Sequence, residues 1–72
     1  MFRIEYFRVD RPVHHEVHER SASAMRQWLA DTLADAVRQG RSFSIQQMDM
    51  GVSLVVKVEF SNNERIHVYR SH

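Results

Sequence analysis

Three histidines and two glutamates crowd the seven residues from His14 to Arg20, HHEVHER. Imidazole and carboxylate can ligate zinc without cysteine, and imidazole is also the side chain that titrates between pH 5 and 8. Spacing decides between these chemistries. On a strand, Val13, His15, Val17 and Glu19 share one side and His14, Glu16, His18 and Arg20 the other. His14 and His18 then stand about 13 Å apart at roughly 3.3 Å per residue, too far for one ion. Only the neighbouring pairs His14 with Glu16, or Glu16 with His18, can share a metal. On a helix begun at Pro12, His14 and His18 form an i, i+4 pair that suits zinc once a third ligand arrives from elsewhere.

Two β-branched valines among the histidines, followed by Ser21-Ala22-Ser23 as a fresh helix start, favour the strand. The expectation is an exposed polar strand face with no metal, in which His14, Glu16 and His18 are candidate contact residues. The zinc-protease motif H-E-x-x-H is excluded, because His15 and His18 stand three apart where it requires four. A pH-sensitive domain is the remaining histidine reading. His14, His15, His18, His67 and His72 would charge as pH falls through about 6.5, and an interface holding the trio would weaken in acid. His72 itself reads as a loose end.

Seventy-two residues make one domain, 1–72. A chain this short buries only about 60% of its unfolded surface, so its core is small. With no cysteine there is neither a disulfide framework nor a thiolate metal site, which leaves self-association as the commoner reinforcement and a homodimer as the expectation. Hydrophobic residues at 43% and charged residues at 26% argue for a folded chain. No apolar run approaches the roughly 20 residues of a membrane span, and MFRIEYFRVDR mixes charge with apolar residues, unlike a signal peptide. A cytoplasmic location without membrane contact is the default expectation.

The formal net charge of +1 is spread evenly. Arg3, Arg8, Arg11 and Arg20 balance Glu5, Asp10, Glu16 and Glu19, and Lys57, Arg65 and Arg70 balance Asp49, Glu59 and Glu64. No basic stripe announces a nucleic-acid binder. Nine of the ten basic residues are arginine, which suits bidentate pairing with carboxylate or phosphate. A nucleic-acid-binding regulator in which Arg3, Arg8, Arg11 and Arg20 converge on phosphates is therefore the alternative.

These side chains need elements to position them. Met25, Trp28, Leu29, Leu33, Ala36 and Val37 recur at spacings of three and four, with Arg26, Gln27, Asp31, Asp35 and Arg38 opposite, so an amphipathic helix is expected over 22–39. Ser21 or Ser23 can cap its start and Gly40 can end it. Beyond Gly40 the period becomes two. Leu54, Val56, Val58 and Phe60 face inward on one strand, Phe43 and Ile45 on the strand before it, and Ile66 and Val68 on the strand after it. Gly51 and the Ser61–Glu64 stretch are the turns. Setting Phe60 opposite Ile66 makes the loop Asn62, Asn63 and Glu64, with Asn63 at positive φ, and places Glu59 opposite His67 and Lys57 opposite Tyr69. Phe2, Ile4 and Tyr6 alternate as an N-terminal strand, and Phe7 and Val9 add apolar groups on its other face.

The order is β-β-α-β-β-β or β-α-β-β-β. It implies an α+β fold with a small antiparallel sheet of four or five strands and the helix packed on one face. The other face, and the sheet edges, are left for water or a partner.

Catalytic signatures are absent: no cysteine nucleophile, no glycine-rich phosphate loop, no nucleophile elbow, and little room for a closed pocket. Trp28 lies in the helix stripe and reads as core. Tyr6, Phe7 and Tyr69, with Arg8, Lys57 and His67 near them, read as partner-binding residues on an uncovered face. An RNA-stacking sheet uses aromatics similarly, but the ribonucleoprotein pattern of aromatics around glycine is missing. The expectation is a small non-enzymatic protein-binding module, dimeric and without cofactor, that regulates or inhibits a partner protein by covering its surface. Small phage- and plasmid-encoded regulators have a comparable architecture, which is an analogy of form alone.

Overall fold

The computed structural model describes residues 1–9, 11–12, 14–47 and 54–70. The expected turn at Gly51, the facing of Val13 and Ser53, and His72 lie outside them. In chain order the elements are β1 (Phe2–Phe7), β2 (His15–Arg20), α1 (Ala22–Arg38), β3 (Phe43–Gln47), β4 (Leu54–Phe60) and β5 (Arg65–Arg70). All five strands join one antiparallel sheet in the order β2-β1-β5-β4-β3, and α1 packs on one face of it. The fold is the expected α+β arrangement, and HHEVHER contributes an edge strand.

Local chemistry sets the helix ends. The Ser21 hydroxyl accepts the Ala24 N–H at 3.4 Å, satisfying one orphan donor of the first turn. At the other end Gly40 adopts φ +75°, its N–H bonding the Val37 carbonyl while the Arg41 N–H reaches back to the Ala36 carbonyl. This paired closure needs a residue free to take positive φ, and it sends the chain out of the helix with Arg41 turned toward β5.

The core is one layer between sheet and helix: Ile4, Tyr6, Val58, Phe60, Ile66 and Val68 from the strands, Met25 and Ala36 from α1. Phe2, Trp28, Leu29, Leu33, Phe43, Val55 and Val56 pack around it. Three inward assignments are corrected. The helix sits over β1 and β2, at one end of the sheet, so Val37 is 64% exposed and Ile45, on the far edge strand, 47% exposed. Leu54 also changes sides. An irregularity between Leu54 and Val56 sets Leu54 opposite Tyr69, while Val55, expected to face outward, packs against the core. One extra residue in a strand reverses the alternation beyond it.

The β4–β5 register differs from the expected one by two residues. Asn63 does take positive φ, at 71°, but the Phe60 N–H bonds the Glu64 carbonyl, so the loop is Ser61, Asn62 and Asn63. Val58 therefore faces Ile66, Lys57 faces His67 and Glu59 faces Arg65. A shift of two keeps every side chain on its face, so the inward set survives. The shift places Glu64 on the core side. There its carboxylate accepts the Tyr6 hydroxyl at 2.9 Å and an Arg41 N–H at 2.6 Å. Matching apolar with apolar across the turn misses a carboxylate that is buried because Tyr6, Val9 and Arg41 satisfy it.

Candidate protein-contact face

Odd-numbered residues of β1 share the face turned away from α1, and cross-strand pairing extends it into three rows. The first is His15, Phe7, Arg65, Glu59 and Ser44, in sheet order. The middle row is Val17, Glu5, His67, Lys57 and Gln46, and the third is Glu19, Arg3, Tyr69 and Leu54. No described element covers these rows. His67, on the central strand β5, occupies the middle of the face.

Around it the side chains cover one another. Phe7 stacks on His15 with ring centres 4.5 Å apart and planes 5° from parallel, and meets His67 edge-on at 5.3 Å. The Arg65 guanidinium lies over the Phe7 ring at 4.9 Å, a cation–π arrangement. His67 Nδ1 stands 3.2 Å from the Tyr69 hydroxyl oxygen, whereas its Nε2 is buried and meets no partner among the described residues. Such a group is costly to leave unmade.

The charges are mostly engaged within the face. Glu5 holds both Arg3 and His15, each at 3.2 Å, and Glu59 holds Lys57 at 2.9 Å. Arg65 has no carboxylate within 4.0 Å among the described residues. Burial pushes the His67 imidazole below its usual pKa of 6.5, reinforced by Arg65 and Lys57 and only partly opposed by Glu5 and Glu59.

That shift gives a testable pH dependence. The folded chain binds the His67 proton less readily than the unfolded chain, so unfolding takes up a proton below about pH 6.5. The stabilisation is complete above pH 6.5 and is lost as pH falls through the lower folded-state value. Urea titrations at a series of pH values should show this loss in the wild type. His67→Asn should flatten that part of the profile, and an unchanged profile would remove His67 as its source.

The nine expected contact residues divide. Phe7, Lys57, His67 and Tyr69 belong to this face. Tyr6 does not: it is 1% exposed under the helix, edge-on to Trp28 at 6.1 Å and stacked with Phe60 at 6.0 Å. Its position places it on the even side of β1, which α1 covers. Glu16 and His18 lie on that same side, on β2, where the His18 ring is 5.8 Å from Trp28. Arg8 packs over the Tyr6 ring at 4.2 Å with Nε 3.2 Å from Glu16, and the carbonyl of exposed His14 accepts the Arg8 N–H. The contribution of HHEVHER to the outer face is thus His15, Val17 and Glu19.

Residues not foreseen on the outer face include Glu5, His15, Val17, Glu19, Arg65 and Leu54. Period two from Phe7 and Tyr69 reaches Glu5 and Arg65; His15, Val17 and Glu19 need the β1–β2 register, and Leu54 the bulge. The four arginines of the phosphate-binding alternative do not converge. Arg3 lies on the outer face and Arg20 on the helix side of β2. Arg8 and Arg11 instead join Arg41 at a polar recess of about 330 Å³ that Tyr6 and Glu64 also line.

Among the described residues no group of three or more histidine, aspartate or glutamate side chains is placed to hold a metal ion, and no helix is long and apolar enough to cross a membrane. Comparison of the chain with known protein families, characterised proteins and solved structures finds no match.

Proposed function

We propose that this chain is a non-enzymatic protein-binding module that regulates or inhibits a partner protein by laying its outer sheet face over it. One observation carries the reading: Phe7, His67 and Tyr69 cluster at the centre of a face that no described element covers. Aromatic side chains at the centre of a patch with charges around them are the usual composition of a protein contact. The partner chemistry follows from what the face leaves unmatched. Its three acids, Glu5, Glu19 and Glu59, number as many as its bases, Arg3, Lys57 and Arg65, yet Arg65 alone combines a stacked guanidinium with no carboxylate within 4.0 Å among the described residues. The fitting partner is a protein surface that sets a carboxylate beside an apolar side chain, the carboxylate for Arg65 and the apolar group for Phe7 and Tyr69.

Balanced charge argues against a phosphate backbone, which calls for an excess of cations. Photo-crosslinking in the native host tests the reading. A photoreactive residue in place of Tyr69 should give a polypeptide adduct that the same group in place of Gln27, on the exposed helix surface, does not. Arg65→Glu should abolish that adduct. Equal adducts from both positions, an adduct with nucleic acid or with a second copy of this chain, or insensitivity to Arg65→Glu would each overturn the proposal.

A further inference from the structure

We infer that two copies of this chain associate by pairing their β3 strands antiparallel, continuing the sheet across a two-fold axis. This goes beyond the face-docking reading, uses a different surface and stands without it. The sheet has two ends, β2 and β3, and each presents a row of backbone N–H and C=O groups with no strand partner among the described residues. The two ends differ in chemistry. β2 carries His15, Glu16, His18, Glu19 and Arg20 within six residues, the charged composition that protects an edge from pairing. β3 is Phe-Ser-Ile-Gln-Gln, with neither charge nor proline.

Side chains agree with the backbone. α1 lies over the β2 end, which leaves Ile45 on the helix side of β3 47% exposed at the middle of that strand. A two-fold axis at Ile45 sets Ile45 against its own counterpart, Ser44 against Gln46 and Phe43 against Gln47. No charge meets a like charge in that register, and both exposed isoleucines lose solvent together. A heterologous partner would have to supply this complementarity; a second copy already has it.

The five-residue strand spans about 17 Å at roughly 3.4 Å per residue, and so short an edge falls below the about 800 Å² per partner of a standard interface. The association is therefore weak and reverses on dilution. It is also closed, because each copy spends its one uncharged edge and the charged β2 edge resists pairing.

Sedimentation equilibrium over a wide concentration range tests this. The wild type should pass from monomer to dimer and no further. Ile45→Lys should remain monomeric at the highest concentration, with unchanged circular dichroism and only a small fall in melting temperature, because residue 45 is already half exposed. Val17→Lys, at the other edge and on the outer face, should dimerise as the wild type does. A monomeric wild type throughout, species larger than dimers, a dimer insensitive to Ile45→Lys, or one broken by Val17→Lys would overturn the inference.

Discussion

Glu64→Ala is expected to lower the unfolding free energy by about 3 kcal/mol, a large fraction of the total stability of a domain this small. Glu64 is the only buried charged residue among those described, at 5% exposed. Its carboxylate accepts the Tyr6 hydroxyl, an Arg41 N–H and, at 3.4 Å, the Val9 N–H. Removing it strands a buried phenol and a guanidinium whose Nε already has no acceptor. Breaking a buried pair from one side costs about 3 to 5 kcal/mol, and the partial exposure of Arg41 places this case at the lower end. Glu64→Gln keeps an acceptor for Tyr6 and should lose less. Urea unfolding at neutral pH measures both; a Glu64→Ala protein within 1 kcal/mol of the wild type would contradict the burial of this network.

The same carboxylate fixes the acid side of the stability curve. Burial works to raise its pKa, but the Tyr6 hydroxyl, the Val9 N–H and the Arg41 charge together hold it below the usual 4.5. Its contribution is complete above about pH 4.5 and is lost as pH falls through the depressed value. This loss sets in at a lower pH than that of His67, from about 4.5 instead of 6.5, and both have the same sign.

Ile66→Ala should cost about 3 to 4 kcal/mol, whereas Ile45→Ala should cost under about 1 kcal/mol. Both isoleucines sit on the helix side of the sheet and across from Val58, one on each side of it. Ile66 is on the central strand and fully buried; Ile45 is on the edge and half open. Truncating the first leaves a cavity under α1, and truncating the second removes surface that water already touches. Equal losses at the two sites would mean that the helix lies over the middle of the sheet rather than over β1 and β2.

That contrast marks what the amino-acid pattern can and cannot show. Periods of two and of 3.6 are local properties, so the strands, the helix from Ala22, the Ser21 cap and the positive φ of Gly40 and Asn63 are all readable from neighbouring residues. Where the helix sits across the sheet is not local, and Ile45 and Val37 looked like core for that reason. The β4–β5 register is not readable from neighbouring residues because its determinant, Glu64, finds its partners at Tyr6 and Arg41, far away in sequence. The outer face is half legible. Phe7, Lys57, His67 and Tyr69 follow from alternation, but HHEVHER offers two sides, and only pairing with β1 reveals that His15 and Val17, not His14, Glu16 and His18, join them.

The most direct measurement on the outer face is the affinity for the polypeptide captured through position 69, taken by titration calorimetry with the wild type, Phe7→Ala and Arg65→Glu. Both substitutions lie outside the core, so each variant should retain the wild-type circular dichroism. Central contact residues carry about 2 kcal/mol or more, so each variant should bind roughly thirty-fold more weakly. Affinities within about two-fold of the wild type for both folded variants would contradict the assignment of this face as the binding surface.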